Sequence, residues 1–428
     1  MAKDYRTLTQ QFLNNGDNAR ARSMLAEWMQ FGGASSPDYY LLQAELSDQL
    51  GTPCNAWLWV WRGLQHFPDD APLTARMKTM NDARPNVPIR VLHGMMEAAN
   101  QMNLLSKGLH RHGVLSHTMN FWPSYLGYPA DYVWSFTGQR LTPSINATLK
   151  KLAEDLLPHY DIFQFFCGRS IVGDFSDLPM LKEAGKATLM YHMGSEVRIL
   201  SEARKTNPYA KVKNPNEGSI KRNLELWSRH IEHCMVIDME LYQYVKPYYA
   251  HVHVVPTSID LGRFSPDPDW KPNDKPLIVH APTSTDIKGT SYIVSAIEKL
   301  KTRYSFDFQL IQKMSNEQAM QIYRKADLII DQLHLGSHGV LAVEAMAMEK
   351  PVVCWISDYM KEHYPDDLPV IHANPDTIES VLEHVLRNRD MLPEIGRKGR
   401  PYAEKQHDMV KNSGKVLELY RSIMAGKQ

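Results

Sequence analysis

The sequence predicts an α/β protein with two doubly wound domains facing a cleft, preceded by an all-α helical-repeat region. Three observations carry this expectation. Apolar, strand-like runs alternate with stretches of helical spacing twice along the chain, over 86–256 and over 257–405; alternation of this kind builds parallel βαβ units. A polar, Pro-rich stretch, Pro266 to Asp274, separates the two series. The first 85 residues show helical patterning only.

Size and composition agree with several domains. The chain has 428 residues, enough for two to four domains at roughly 100–200 residues each. Lys plus Arg equals Asp plus Glu, 48 each. This balance argues against a basic nucleic-acid binder and against a polybasic membrane-surface protein. Apolar residues make up 43% and charged residues 22%, a composition that supplies a core and excludes disorder as the main state. No window approaches 18 consecutive apolar residues, so no membrane-spanning helix is expected. Met1 to Arg6 carries no apolar signal-peptide core. Cys54, Cys167, Cys234 and Cys354 are far apart and form no CxxC pair. A reducing, cytoplasmic setting is expected, with peripheral attachment at the inner membrane surface as a variant.

Residues 1–85 match themselves weakly at an offset of 35, pairing Tyr5 with Tyr40, Gly16 with Gly51 and Ala21 with Ala56. Each unit reads helix, Gly-containing turn, helix, then Pro. The pattern resembles tetratricopeptide repeats. Two units are fewer than a stable stack needs, so a third helix near Leu73–Met80 or the next domain should complete it. Trp57, Trp59 and Trp61 cannot all face one side of a helix, so at least one should be exposed or should dock onto a neighbour, packing against the adjoining domain being the plainer reading. A protein partner bound through residues 1–85 is the functional variant of this reading.

The pattern changes at Pro85–Pro88. Pro88 to Leu92 reads as a strand ending in a turn at His93-Gly94, and Glu97 to His112 as a helix. Further strands are expected at Val114–Met119, Asp131–Phe136, Tyr160–Phe166, Ala187–Tyr191, Cys234–Ile237 and His251–Val255. In the second series strands are expected at Leu277–His280, Phe306–Ile311, Leu328–Ile330 and Pro351–Ile356. Helices are expected on Ile293 to Leu300, after a capping box of Ser315 and Gln318, on Val340–Met348, and on Ile378 to Val385 with Pro375 at its first position. A C-terminal helix fills 406–428. Ligands of such sheets sit beyond the carboxyl ends of the strands.

Four segments in order then point to a family. Val255-Pro256-Thr257-Ser258-Ile259-Asp260-Leu261-Gly262-Arg263-Phe264-Ser265-Pro266, Asp286-Ile287-Lys288-Gly289, Ala326-Asp327-Leu328-Ile329-Ile330 and Gly339 to Val353 resemble, respectively, a "PNGVDxxRFxP" linker, a "KG" turn, an "AD" strand and a "G-hhhh-EAMAxGxPVV" signature. These belong to the large family of retaining glycosyltransferases with the GT-B fold, which has two Rossmann-like domains. The resemblance covers about 256–405 well, 88–255 more loosely, and the first 85 residues not at all.

The resemblance implies a nucleotide-diphosphate sugar donor and an acceptor of unidentified class, whether glycan, lipid or protein. It implies neither a cofactor nor a metal. Gly339, Val340 and Leu341 open a helix whose N–H groups and dipole suit a pyrophosphate. Lys288 adds an ammonium and a catalytic role in stabilising the leaving group. Glu344, one turn into that helix, takes the place of the ribose-binding carboxylate. His192, in Tyr191-His192-Met193-Gly194-Ser195-Glu196, resembles a catalytic "H-G-S-D" loop facing the donor sugar. Gly94 stands for a second glycine-rich loop.

Two departures stand out. The family commonly has a Glu eight residues before Glu344, where this chain has Gly336. It commonly has an Arg in "GRxxxxKG", where this chain has Pro282-Thr283. Ser284, Thr285, Ser337 and His338 remain to supply donors. Two other readings stay open: a catalytically inactive scaffold of this fold, and a nucleotide-sugar epimerase. No HExxH, CxxC, GxSxG or GxxxxGK[ST] pattern occurs. His251 and His253 read as an edge-strand or core pair rather than metal ligands.

Overall fold

The computed structural model describes residues 3–84, 86–268 and 270–426. Pro85 at the expected boundary, Met1 and Ala2 at the N-terminus, Asp269 of the linker, and 427–428 of the C-terminal helix lie outside the described residues. The chain divides into two compact units: 1–88 with 117–121 and 130–135, and 89–116 with 122–129 and 136–428.

The first unit is built on the helices Tyr5–Asn14, Asn18–Gln30, Pro37–Gln49, Pro53–His66 and Ala71–Asp82. Side chains of Asp4, Asp17 and Asp70 accept from backbone N–H groups of the first turns they precede. The turns at Gly16 and Gly51 fall at equivalent points of two helix pairs. Leu13, Leu25, Tyr40, Leu46, Val60 and Leu73 form the core, so the fifth helix supplies the third layer. Trp57 and Trp61 are buried and Trp59 half-buried. Trp57 meets Tyr132 edge-on at 6.0 Å and Trp61 meets Trp134 at 6.3 Å. The strand expected within Asp131–Phe136 is present at Tyr132–Val133, and these ring contacts join it to the helices.

Strands are numbered in chain order. They are β1 (Arg90–Met95), β2 (Leu115–Asn120), β3 (Tyr132–Val133), β4 (Ile162–Phe166), β5 (Ala187–His192) and β6 (His233–Val236). Then follow β7 (His251–Val254), β8 (Leu277–His280), β9 (Asp307–Leu310), β10 (Leu328–Ile330), β11 (Val352–Cys354) and β12 (Val370–His372). In the first unit Met119 and Asn120 of β2 pair in parallel with Tyr132 and Val133 of β3.

The second unit contains two parallel sheets. In one, β1, β4, β5, β6 and β7 lie side by side in that order. In the other the order is β12-β11-β10-β8-β9. Central strands are buried on both faces, as parallel strands covered by helices must be: β4 and β10 are buried throughout. On the edge, His251 of β7 stacks on His233 of β6 at 4.6 Å, and His253 on the same ring at 5.5 Å.

Two chain segments cross between the sheets. Ile259 donates to His407 O at 2.8 Å, and Met409 donates back to Ile259 O at 3.2 Å. Beyond this bridge the helix Met409–Ala425 returns to the first sheet. There it packs on the helix Gln101–Arg111, so closely that a Cβ on Gly108 would come within 2.8 Å of Met409 O. Its Tyr420 hydroxyl bonds the buried Gln164 of β4.

Three local expectations need correction. The first helix of the second unit starts at Gln101, not at Glu97, because the Glu97 carboxylate caps it from outside by accepting from Met102 and Asn103 N–H at 3.2 and 2.9 Å. The helix expected to start at Pro375 starts at Ile378, because the Asn374 side chain accepts from Asp376 and Thr377 N–H and closes a turn first. The edge strand β12 was not anticipated. No helix among the described residues is long and apolar enough to cross a membrane.

Candidate functional site

The carboxyl ends of the two sheets supply the site. After β8 the chain turns into the short helix Thr285–Lys288, opened by Ser284. It leaves that helix through Gly289 at φ +76°, a left-handed turn that favours glycine. The turn is fixed from behind by Leu333 N–H donating to Lys288 O at 3.1 Å. Lys288 Nζ donates to Asp331 Oδ1 at 2.9 Å and also to Gln332 Oε1. Asp331 and Gln332 follow directly on β10.

Gly339 opens the helix Val340–Ala347. A Cβ there would stand 2.8 Å from Lys288 Nζ and 3.0 Å from Asp331 Oδ2, so any side chain would have to displace that pair. Its N–H donates to Asp331 Oδ2. The Asp331 carboxylate therefore joins an ammonium to a helix N-terminus, the same two groups an anionic ligand would use. Val340 and Leu341 are partly accessible in the first turn. Glu344 lies one turn further on. Its carboxylate accepts from Asn316 Nδ2 at 3.3 Å. Burial pushes its pKa up to about 7, with Asn316 and the Arg263 charge opposing the rise.

On the first sheet, β1 runs through Gly94 to Met95, so Gly94 is a buried strand residue, not the loop glycine expected; the loop begins after it. The polar group at that strand end is Glu97, whose pKa burial raises to about 8. At the end of β5, His192 is fully buried. Its Nε2 pairs with Tyr249 Oη at 2.9 Å and its ring packs on Trp227 at 5.4 Å. The expected catalytic role for His192 is corrected on this ground: its ring is enclosed by Trp227, Tyr249 and Glu196. His192→Gln should cost about 1–2 kcal/mol of stability, read by chemical denaturation, and leave nucleotide affinity unchanged.

The loop Met193 to Glu196 instead turns its carboxylate inward, Glu196 accepting from Met193 and Gly194 N–H at 2.7 and 3.0 Å. Arg198 donates two buried hydrogen bonds to the Glu240 carboxylate, at 2.8 and 2.7 Å.

The structure gathers Lys288, Gly339, Val340, Leu341 and Glu344 along one helix and the turn facing it, with Ser284 and Thr285 opening that turn. Ser337 and His338 directly precede Gly339, but both residues are buried. The Ser337 carbonyl accepts from Gln332 Nε2. His338 stacks on Tyr364 at 4.7 Å and meets His407 edge-on at 5.4 Å. It lines a cavity of about 110 Å³ with Asp238, Tyr364 and His407, in which neither Lys288 nor Glu344 takes part. Burial holds its pKa down at about 4. Both expectations for a sugar contact are corrected accordingly. Gly336, at φ +74°, packs against Asn207 and Ser357.

Sequence reasoning missed Asp331, Gln332, Asn316 and Glu97. Asp331 and Gln332 carried a usable signal, since they are the first polar residues beyond a strand end. Among the described residues no cluster of three or more His, Cys, Asp or Glu is arranged to hold a metal ion.

No family model matches the chain, and no curated protein does. Solved structures do. A sucrose-phosphate synthase from Thermosynechococcus elongatus matches with a TM-score of 0.54 and 12% identity, over 78% of this chain and 99% of that one. A glycosyltransferase from Rickettsia africae matches with a TM-score of 0.57 and 14% identity, over 79% and 99%. Anabaena HepE, in complex with UDP-glucose, matches with a TM-score of 0.55 and 13% identity, over 78% and 100%. At such identities these likenesses speak to the fold alone. The chain has the GT-B fold: two Rossmann-like parallel sheets whose carboxyl ends face one cleft.

Proposed function

We propose that this protein is a glycosyltransferase that takes a sugar from a nucleotide-diphosphate sugar and passes it, with retention of anomeric configuration, to an acceptor held by the first lobe. One observation carries the reading: the Lys288 ammonium sits over the N-terminus of Val340–Ala347, with Glu344 one turn along the same helix. A diphosphate at the helix start and a ribose at Glu344 match that spacing. The likeness to a fold partner bound to UDP-glucose supports the donor class.

In the reaction the bond from the anomeric carbon to the diphosphate oxygen breaks, and charge grows on the leaving diphosphate. Lys288 and the first-turn N–H groups stabilise that charge. The acceptor hydroxyl attacks from the face the diphosphate leaves, and its proton passes to the departing phosphate oxygen. Asp331 holds Lys288 in position before the donor arrives. The positive charge comes from side chains and helix N–H groups, and no metal or cofactor is invoked. The acceptor is a glycan, a lipid or a protein, and residues 1–85 are the surface proposed for a protein partner.

One observation favours a second reading, a nucleotide-sugar-binding scaffold without transfer: Lys288 and Gly339 N–H are already bonded to Asp331. A panel of UDP-, GDP- and ADP-sugars, followed by thermal shift and by donor hydrolysis, separates the two. Stabilisation with hydrolysis supports the enzyme, stabilisation alone supports the scaffold, and no shift with any donor overturns both.

Glu344→Ala is expected to weaken nucleotide binding about tenfold to a hundredfold, since a charged acceptor of two hydroxyls is lost. The interaction should depend on pH. Ribose hydroxyls donate to the ionised carboxylate, and in the empty site that group has a pKa of about 7. Affinity should therefore be full well above pH 7 and fall below it, at most about tenfold per pH unit. Glu344→Gln should flatten the profile. In the empty protein the same group acts in the opposite sense: its folded pKa is raised from 4.5, so its stability contribution is present at low pH and is lost as pH rises through 7. Calorimetric titration of the nucleotide between pH 5.5 and 8.5 reads the first effect. A flat wild-type profile would remove Glu344 from the ribose site.

A further inference from the structure

We propose that Lys213, brought to the cleft by the 207–213 segment of the first lobe, is the second cation for the donor's diphosphate. The inference rests on the donor reading above and adds a residue to it from the opposite lobe.

A nucleotide-diphosphate sugar presents two ionised phosphates, and a single ammonium already shared with a carboxylate cannot balance them. The cations in the neighbourhood can be taken in turn. Lys288 is paired with Asp331 at 2.9 Å. Arg198 is committed to Glu240 in a buried, two-pronged pair. Lys211 is paired with Asp286 at 2.6 Å, and Arg263 with Glu317 at 2.8 Å. Thr283 stands where the resembled pattern has an arginine, and it brings no charge. Arg169 is placed over the Trp122 ring at 4.9 Å, and among the described residues Lys213 makes no ion pair.

Its position is fixed by the chain that carries it. Asn207 Nδ2 donates to His334 O at 2.7 Å, and Asn207 Oδ1 accepts from Trp355 Nε1 at 3.1 Å. The Tyr209 hydroxyl bonds Asp376, and its ring meets Trp355 edge-on at 5.5 Å. Lys211 reaches Asp286, two residues before Lys288. The segment is thus latched three times onto loops of the second sheet, and Lys213 follows two residues after the last latch.

The local field at Lys213 favours an anion. The residue as a whole is exposed, yet its ammonium is partly desolvated. That desolvation first, then the positive charges of Lys288 and Arg198, lower its pKa, with Glu196 and Cys167 opposing. Two cations that repel each other across a cleft are reconciled by an anion between them.

The test is calorimetric binding of UDP, GDP and ADP, and of the matching monophosphates, to wild type, Lys213→Ala, Lys213→Arg and Lys288→Ala. For whichever base binds, Lys213→Ala should weaken the diphosphate about tenfold, the worth of one charge-assisted contact. It should change the monophosphate little and flatten the salt dependence. Lys213→Arg should recover most of the loss, and the melting temperature should not move. Wild-type diphosphate affinity in Lys213→Ala overturns the inference and leaves the donor reading standing. Equal weakening of mono- and diphosphate also overturns it, because the loss would then not belong to the second phosphate. If wild type binds none of the three nucleotides, the donor reading fails and this inference fails with it.

Discussion

Lys288→Ala is expected to lower kcat about 10²–10³-fold with any active donor, the effect of removing one preorganised group from a developing oxyanion. The loss should appear in kcat more than in KM, because charge on the diphosphate is greatest as the glycosyl bond breaks. The structure adds a complication and its control. Asp331 is fully buried, and Lys288 is its ion-pair partner. Removing the lysine alone strands a buried carboxylate, which should also cost about 2–4 kcal/mol of stability. The double variant Lys288→Ala with Asp331→Asn removes both charges and should recover much of that stability without recovering turnover. Denaturant titration and initial rates, measured well below the melting temperature of each variant, separate the two effects. A double variant with wild-type kcat would take Lys288 out of the chemistry.

The strands of the second sheet were legible because each is a short apolar run between turn residues, and a buried parallel strand needs little more. Leu277–His280 and Leu328–Ile330 are observed with the expected bounds. The capping box of Ser315 and Gln318 was legible for the same local reason and is present. The direction a polar residue faces at a strand end was not legible, because it depends on partners far away in sequence. His192 is enclosed by Trp227 and Tyr249, and His338 by Tyr364 and His407. Neither neighbour set lies near it in the chain. Glu97 read as helical because Ala98, Met102, Leu105 and Leu109 follow it at helical spacing; its backbone lies outside the helix while its carboxylate does the capping. Lys213 lay in a stretch with neither period nor motif, and only the latches at Asn207, Tyr209 and Lys211 give its position meaning.

Gly336 shows most plainly how a departure from a family pattern changes meaning once the backbone is known. From the sequence alone, a glycine in place of a sugar-contacting glutamate suggests a widened pocket, so Gly336→Glu would fold normally and block the donor. The structure predicts a different result. Gly336 sits at φ +74°, where a Cβ would stand 2.9 Å from both Asn207 Nδ2 and Ser357 Cβ. Ser357 N–H also donates to Gly336 O at 2.9 Å, so the loop cannot easily shift away. A side chain there pays left-handed strain of about 1–2 kcal/mol and an overpacking cost of about 1–3 kcal/mol. It also pushes on Asn207, one of the latches between the lobes. Gly336→Glu is therefore expected to lower stability by about 2–4 kcal/mol, and Gly336→Ala by a large part of the same amount, since the penalty begins at Cβ. The widened-pocket reading predicts instead that alanine is silent and only glutamate matters, through donor binding. Denaturant midpoints of the two variants decide between them, and a Gly336→Glu protein as stable as wild type would show that this loop has been assigned to the wrong role.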